Sequence, residues 1–274
     1  MKYGLIAGGG RFPLIVASSA RRQGHEIVAV AVKEEADPAI EQQVDRCHWI
    51  SLGELTKLVR TFHDEGITEA VMAGRVRHSR IYSAIRPDWK LFKLLASLPR
   101  KNTDSLIGAI AKFLEGEGIR LLDSTLFLEP YLAKKGPLTR RHANNDERAD
   151  IVYGLEVAQT LSEFDIGQTV IICERACVAV EAMEGTNEAI QRAARFSNGR
   201  PLTVVKLAKP NQDMRFDVPV VGPMTIEKMI EAKATALAVE AGKTLLLDMD
   251  EVLESANQAK IAMLGCGRKL NPDE

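Results

Sequence analysis

The sequence predicts a two-domain α/β protein, and three observations favour this fold class. With 274 residues, the chain is long for one hydrophobic core and long enough for two. Short apolar runs typical of buried strands alternate with amphipathic segments typical of helices. The first elements follow the order strand, glycine turn, helix, strand, which starts a parallel sheet. We place the first domain at residues 1–130 and the second at residues 131–274.

The composition is that of an ordinary globular protein and excludes several classes. Hydrophobic residues make up 46% and charged residues 27%, and the formal net charge of -1 provides no basic field that would attract nucleic acid. No apolar run approaches the roughly 18 residues of a membrane span, and the N-terminus does not resemble a secretory signal. The four cysteines include no C-x-x-C pair, which points to a reducing cytoplasm.

The first βαβ unit ends its first strand in a glycine turn. The predicted strand Tyr3–Ala7 is followed by Gly8-Gly9-Gly10, then by a helix over Leu14–Arg22 and a strand over His25–Val32. Backbone N–H groups at such a turn, together with the helix N-terminus behind them, favour phosphate. Proline replaces the third glycine of G-x-G-x-x-G, so a purely structural tight turn is the alternative.

A second glycine turn follows the next buried strands. A strand near Trp49–Ser51, a helix over Glu54–Glu65 and a strand over Glu69–Ala73 lead to Gly74-Arg75. In a doubly wound sheet the two glycine turns can face one crevice. The basic cluster Arg75, Arg77, His78 and Arg80 is either a diphosphate clamp or a solvated loop.

The end of the first domain holds an amphipathic stretch with cations at its borders. Ile81–Leu98 is either core or an apolar face for acyl chains or a membrane surface. A helix over Ser105–Gly116 follows, with Thr103 or Asp104 as its cap. Tyr131–Asn145 has few large apolar residues and is predicted to be the interdomain linker.

The second domain is predicted to alternate helices and strands. The predicted strands are Thr169–Cys173, Leu202–Lys206, Thr244–Leu247 and Ile261–Leu264. The predicted helices are Asp146–Phe164, Thr225–Ala241 and Asp250–Ala259. The long middle helix begins at Thr225 and ends before Gly242.

Charged residues crowd the ends of the strands between residues 165 and 217, beside turn residues. They are Glu174, Glu181, Glu184, Lys206, Lys209, Asp213, Arg215 and Asp217, and the hydroxyl residue Thr186 lies among them. Carboxylates can hold magnesium or orient an attacking water, and cations can hold phosphate oxygens. We therefore interpret this stretch as a phosphate-chemistry site. The alternatives are a turn role for Asp217 before Pro219 and a loop cap for Asp213.

Three segments carry a specific resemblance: GLIAGGGRFP, DIGQTVIICERACVAVEAMEGTN and KLAKPNQDMRFDVPVVGPMTI. Together they resemble the LpxI-type UDP-2,3-diacylglucosamine pyrophosphatases of lipid A biosynthesis. The resemblance implies a Rossmann-like N-terminal domain and a C-terminal α/β domain with the active site between them. It also implies Mg²⁺-dependent hydrolysis, with Mn²⁺ as another metal, to UMP and 2,3-diacylglucosamine 1-phosphate. Asn187 departs from the Asp of many relatives, which puts a direct metal role there in doubt.

We assign roles to the motif residues on this basis. The catalytic set is Asp217, Asp213, Lys209 and Arg215, and the metal set is Asp217, Asp213 and Glu184. Whether Asp217 is a metal ligand or a general base is left open. The substrate-binding set is Gly8, Gly9, Gly10, Gly74, Arg75, Lys101, Asp104, Glu174 and Thr186.

The expected partners follow from the amphiphilic substrate. We expect an enzyme of the Gram-negative cytoplasm, peripheral to the inner membrane, with a homodimer as one oligomeric form. The alternatives are a dinucleotide-dependent oxidoreductase, a nucleotide- or lipid-binding module without turnover, and a glycosyltransferase.

Overall fold

The computed structural model describes residues 1–76, 88–97, 103–164, 166–210 and 212–270, except for the side chains of residues 103–105. The chain forms two compact units. The first comprises Met1–Glu129 together with Asp213–Asp217, and the second comprises Pro130–Gln212 and Val218–Glu274. The segment Asp213–Asp217, which the sequence analysis places in the second domain, therefore packs with the first unit.

The first unit is built on a parallel sheet of order β3-β2-β1-β4-β5. Its strands are β1 Lys2–Ala7, β2 Glu26–Val32, β3 Arg46–Ile50, β4 Glu69–Ala73 and β5 Arg120–Leu121. Its helices are α1 Phe12–Arg22, α2 Ile40–Gln43, α3 Leu55–Asp64, α4 Trp89–Ser97 and α5 Thr103–Gly116. The predicted parallel α/β fold is confirmed.

Burial explains why these segments take these forms. Strands β1 and β2 are almost continuously buried, as expected for central strands covered on both faces. Helix α3 buries Leu55, Leu58, Val59 and Phe62, the apolar stripe that the sequence predicts. Residues 81–87 and 98 of the predicted amphipathic stretch lie outside the described residues, as do Arg77, His78 and Arg80 of the predicted basic cluster.

The second unit contains a six-stranded mixed sheet of order β6-β13-β11-β9-β7-β8. Its strands are β6 Gly136–Pro137, β7 Thr169–Cys173, β8 Ala176–Val180, β9 Leu202–Lys206, β11 Ala234–Glu240 and β13 Ala262–Cys266. Helix α6 Asn145–Ser162 covers one face; the other is covered by α7 Thr186–Phe196, α8 Pro223–Glu231 and α9 Met249–Gln258. Strands β10 Val220–Val221 and β12 Leu245–Leu246 form a separate parallel pair.

The predicted long helix Thr225–Ala241 is wrong. Helix α8 ends at Glu231, and Lys233 adopts a left-handed backbone with φ of 57° that turns the chain into β11. Strand β11 pairs with both β9 and β13, and its residues are almost all buried. Alanine favours helices in isolation, but the central position in the sheet overrides that preference here.

The predicted linker Tyr131–Asn145 is also wrong, because this segment is part of the second unit. Gly136–Pro137 pairs antiparallel with β13 at the edge of the sheet. Arg141 forms a bidentate ion pair with the buried Glu147 on α6, at 2.7 and 2.9 Å. Polar composition misled the sequence analysis, since an edge strand and an ion pair need few apolar residues.

Candidate active site

The two glycine turns meet at the carboxyl edge of the first sheet. Gly8–Gly10 follow β1 and Gly74-Arg75 follow β4, and these strands are neighbours. In the order β3-β2-β1-β4-β5 the connections change direction between β1 and β4, which is where open α/β sheets bind ligands. The structure thus brings together the two turns that the sequence analysis selected.

The backbone amides of these turns hydrogen-bond to each other. The N–H of Gly8 donates to Ala73 O at 2.8 Å, that of Gly9 to Arg75 O at 2.8 Å, and that of Arg75 to Gly9 O at 3.0 Å. These three amides are therefore engaged within the protein, whereas the predicted phosphate site relied on such groups. The side chain of Arg75 is exposed at this edge.

Close approach explains why glycine is required at position 74. A Cβ on Gly74 would lie 2.7 Å from Gly9 O and 2.9 Å from Pro13 Cγ, and the backbone has a φ of +92°. Both observations exclude a side chain without a shift of the neighbouring turn. The close packing of the two turns is therefore sufficient to explain the glycine at position 74, without a role in phosphate binding.

The segment Asp213–Asp217 is fastened to the same edge of the first unit. The N–H of Ser124 donates to Met214 O at 2.9 Å, and its hydroxyl lies 2.5 Å from Met72 O and 2.6 Å from Arg215 O. Met72 is in β4, two residues before Gly74. Phe216 packs against the hydrophobic core that includes Phe62. Ser124 thus links Arg215, two residues before Asp217, to the backbone of β4.

Within this segment, Asp213 and Arg215 form a tight ion pair. The guanidinium contacts both Asp213 oxygens, at 2.9 Å from Nε and 2.7 Å from Nη2, and its Nη1 lies 2.5 Å from Glu115 Oε1 on α5. The hydrogen bond from Arg215 holds the pKa of Asp213 below its ordinary value, and the same bond raises the pKa of Arg215. The two side chains stabilise the turn that presents Asp217.

A second polar cluster lies in the second unit, at the carboxyl end of β9. The ammonium of the buried Lys206 donates to Thr186 Oγ1 at 2.7 Å, and Thr186 in turn donates to Glu181 Oε1 at 2.9 Å. Oε2 of the buried Glu181 accepts no hydrogen bond and lies 3.9 Å from the Lys206 ammonium. The Thr186 hydroxyl, predicted to bind substrate, is engaged at the start of α7.

Other predicted site residues lie apart from these clusters. Glu174 lies in the turn between β7 and β8 and forms an ion pair with Arg200. The length of β7, about 13 Å, separates Glu174 from Thr169, which lies beside Lys206 at the other end of the strand. Glu184 pairs with Arg192, and its own backbone N–H and that arginine lower its pKa. Lys101 lies outside the described residues, as does the side chain of Asp104 in α5.

Two residues next to the Lys209 motif escaped the sequence analysis. Glu240 Oε2 accepts the N–H of Ala208 at 2.9 Å, and Arg268 Nη2 donates to Ala208 O at 2.9 Å. Glu240 and Arg268 therefore fix the peptide that immediately precedes Lys209. A buried glutamate at the carboxyl end of a strand would have been the signal, but Glu240 was assigned to a helix.

The predicted metal set only partly suits a divalent cation. Both Asp213 oxygens contact Arg215, and Glu184 contacts Arg192 and the Ala182 N–H, so neither is arranged as a direct ligand. Among the described residues, no three His, Cys, Asp or Glu side chains are grouped to hold a metal ion. Magnesium often uses one or two carboxylates and completes its shell with phosphate oxygens and water.

The described part of the chain has no helix with the length and apolar character needed to cross a bilayer.

Comparison with known proteins identifies relatives of the whole chain. A model of the LpxI N-terminal domain matches residues 2–131, and one of the LpxI C-terminal domain matches residues 134–264. The chain is 30% identical to UDP-2,3-diacylglucosamine pyrophosphatase LpxI of Caulobacter vibrioides (strain ATCC 19089 / CIP 103742 / CB 15), over 281 residues and 99% of each protein.

Solved structures show only weak likeness. UDP-glucose 4-epimerase from Bifidobacterium longum, in complex with NAD+ and UDP, has a TM-score of 0.28 and 10% identity over 43% of this chain and 35% of that chain. Phosphoribosylglycinamide synthetase from Anaerococcus prevotii has a TM-score of 0.27 and 13% identity over 69% of this chain and 34% of that one. These likenesses carry no functional inference.

Proposed function

This chain belongs to the LpxI family, and from that premise we propose that it hydrolyses UDP-2,3-diacylglucosamine to UMP and 2,3-diacylglucosamine 1-phosphate. One observation carries the proposal beyond family membership. The segment Asp213–Asp217 packs with the first unit, and Ser124 links its Arg215 to Met72 of β4, the strand that leads to Gly74-Arg75. The first unit therefore contains the carboxylate of Asp217, the cation of Arg75 and the sheet edge at which α/β proteins bind ligands.

Asp217 is the residue to which we assign the chemistry. We assign it either to hold a metal ion or to accept a proton from the attacking water. Bound Mg²⁺ or Mn²⁺ would neutralise diphosphate charge, with Asp217 and substrate oxygens as ligands. Lys209 and the exposed Arg75 are the cations that we assign to phosphate oxygens.

The roles of Asp213 and Arg215 are better described as positioning. Their ion pair and the contact with Glu115 fix the turn, and an arginine already shared by two carboxylates is poorly suited to hold phosphate as well. The backbone N–H of Asp217 donates to the backbone carbonyl of Asp213 at 2.9 Å, so the turn that carries the ion pair also includes Asp217.

The surroundings of the reaction follow from the substrate. We propose a cytoplasmic enzyme that acts at the surface of the inner membrane, because a diacylated sugar nucleotide partitions into a bilayer. A homodimer is compatible with this proposal.

The test is hydrolysis of UDP-2,3-diacylglucosamine with Mg²⁺ or with EDTA, for the wild type and Asp217→Ala. We expect metal-dependent UMP release that falls at least a thousandfold in the variant. Asp64→Ala removes an exposed carboxylate of the first unit and serves as the matched control. Hydrolysis in ¹⁸O-water identifies the attacked phosphorus.

A nucleotide-binding module without turnover is the alternative. It predicts that the folded protein with metal binds UMP but releases none from the lipid substrate. That result would overturn the proposed reaction, whereas full activity of Asp217→Ala would remove only the assignment of Asp217.

A further inference from the structure

Helix α4 presents an unusual pair of aromatic side chains to solvent. Trp89 is 75% exposed and Phe92 is 53% exposed. Their rings stack on each other, with centroids 5.9 Å apart and an angle of 22° between the planes. Single exposed apolar residues are normal on protein surfaces, but two adjacent large aromatic rings form a patch that water solvates poorly.

The same helix is firmly attached to the first unit by its other face. Leu91 is buried in a cluster with Leu55 and Leu106. Asp88 Oδ1 accepts the N–H of Leu91 at 2.9 Å, and Lys90 forms an ion pair with Glu117 at 2.7 Å. The aromatic pair is therefore held outward on an anchored helix.

Basic residues occur on the same face of the helix as the aromatic pair and in the sequence on both sides of the helix. The exposed Lys93 follows Trp89 by four residues and so lies on the same face of α4. Residues 75–101 contain eight Lys or Arg and one Asp, a formal charge of +7, which leaves -8 for the remainder of a chain with a net charge of -1. Lys93 on this face of α4, together with the cationic sequence before and after the helix, favours an anionic partner.

We propose that the exposed face of α4, formed by Trp89, Phe92 and Lys93, docks on the surface of an anionic phospholipid bilayer. Aromatic rings insert at the boundary between headgroups and acyl chains, and cations next to them contact lipid phosphates. This inference rests on the proposed function, because an enzyme bound in this way meets its amphiphilic substrate in the membrane plane. It names the surface that makes the contact.

The test uses the full-length protein and vesicles without substrate. One set contains phosphatidylcholine alone, and the other contains equal amounts of phosphatidylcholine and phosphatidylglycerol. We expect sedimentation with the anionic vesicles, and we expect Trp89→Ala/Phe92→Ser to weaken it about tenfold or more. Lys93→Glu should weaken it roughly fivefold to tenfold, and added salt should reduce the remaining binding. Phe196→Ser, which alters an exposed aromatic residue of the second unit, should leave binding unchanged.

Fluorescence gives a readout of insertion itself. The chain has two tryptophans, so Trp49→Phe leaves Trp89 as the single emitter. Its emission should shift to shorter wavelength with anionic vesicles and be quenched by brominated acyl chains. Because vesicle binding is measured without turnover, its failure and the failure of the proposed hydrolysis are distinguishable.

Three outcomes would overturn the proposal. Wild-type protein that does not bind anionic vesicles would exclude a bilayer as the partner. Unchanged vesicle binding with a raised KM for detergent-dispersed substrate in the aromatic variant would assign the face to substrate acyl chains. Unchanged vesicle binding with loss of a dimer in sedimentation velocity would assign it to a second copy of the chain.

Discussion

Thr186 stabilises the second unit by joining a buried cation to a buried anion. Its hydroxyl accepts from Lys206 and donates to Glu181, so one oxygen links the two charged groups, and Lys206 also donates to Thr169 Oγ1 at 3.4 Å. We expect Thr186→Val to lower the free energy of unfolding by about 1–3 kcal/mol, because the buried Glu181 loses the hydrogen bond from the hydroxyl and Lys206 loses an acceptor. Thr186→Ser keeps the hydroxyl and should retain most of the stability.

Urea unfolding measures these differences. Thr160→Val on the surface of α6 is the control and should change stability by less than about 0.5 kcal/mol. Equal stability of Thr186→Val and the wild type would mean that the hydroxyl contributes nothing to the cluster. In that case, the sequence-based assignment of Thr186 to substrate binding would regain weight.

The candidate site was predictable in its residue types and only partly in its arrangement. The turns at Gly8–Gly10 and Gly74-Arg75 could be placed together, because parallel strands align their carboxyl ends at one edge. The ion pair between Asp213 and Arg215 could not be read from a motif that suggested two separate catalytic groups. Neither could the contact of Thr186 with Lys206, since it joins residues 20 positions apart in different elements.

The turns after β1 and β4 pack so closely that one added carbon should distort them. We expect Gly74→Ala to lower the free energy of unfolding by about 3 kcal/mol or more, from steric overlap and from a positive φ. Gly118→Ala is a matched control, because Gly118 has a φ of +83° but open space around its Cα. It should cost only about 1 kcal/mol.

The difference between the two glycine variants, measured by urea unfolding, isolates the steric term. Similar losses in both would show that the turns can move apart at little cost. The phosphate-binding interpretation of the glycines would then gain support over the structural one.

Phe216 anchors the segment that carries Asp217. We expect Phe216→Ala to lower the free energy of unfolding by about 1–3 kcal/mol, because the half-buried ring packs on the core of the first unit. It should also lower kcat, since Asp217 loses its support one residue away. Phe164→Ala, where the ring is 71% exposed, should change neither quantity.

Unfolding and UMP release on the same preparations separate the two effects. A stability loss with unchanged kcat would show that Ser124 and the Asp213–Arg215 pair suffice to position Asp217. Unchanged stability would contradict the packing of Phe216 itself.

Elements were predictable where periodicity and burial agree. The unit β1-α1-β2 and helix α3 follow directly from their apolar patterns. Strand β11 was missed because Ala234–Glu240 is rich in alanine, and Thr235 and Val239 are the two β-branched residues in it. Only its two neighbouring strands impose the extended form, and one sequence pattern does not contain that information.

At the scale of the whole molecule, the chain passes between its units more than once. It leaves the first unit after Glu129, returns for Asp213–Asp217 and leaves again. Ser124 and Arg215 are in contact although 91 positions separate them. A contact between residues so far apart in sequence leaves no pattern in the residues around either one. The sequence analysis therefore placed Asp213–Asp217 in the second domain.

Carboxylates that form ion pairs in buried or partly buried sites should make the free energy of unfolding depend on pH. Burial raises the pKa of Glu147, but hydrogen bonds with Arg141, Thr235 and the Asn144 backbone, together with the Arg141 charge, outweigh it and lower the pKa overall. Burial likewise acts on Glu65, where hydrogen bonds from His48 and Lys2 dominate and lower the pKa. A carboxyl whose pKa is lowered by folding stabilises the protein above its unfolded-state pKa, and this contribution disappears as the pH falls through the folded-state value.

We therefore expect the free energy of unfolding to be nearly constant from neutral pH to about pH 5 and to fall steeply below about pH 4. Glu147→Gln should cost about 2 kcal/mol or more at pH 7, because Arg141 loses a charged partner in a buried site. The difference from the wild type should shrink as the pH falls, since protonation removes the same charge from Glu147. Urea unfolding at a series of pH values measures both, with Glu254→Gln on the surface of α9 as the control. A difference that persists undiminished at the lowest pH would show that packing, rather than the ion pair with Arg141, accounts for the contribution of Glu147.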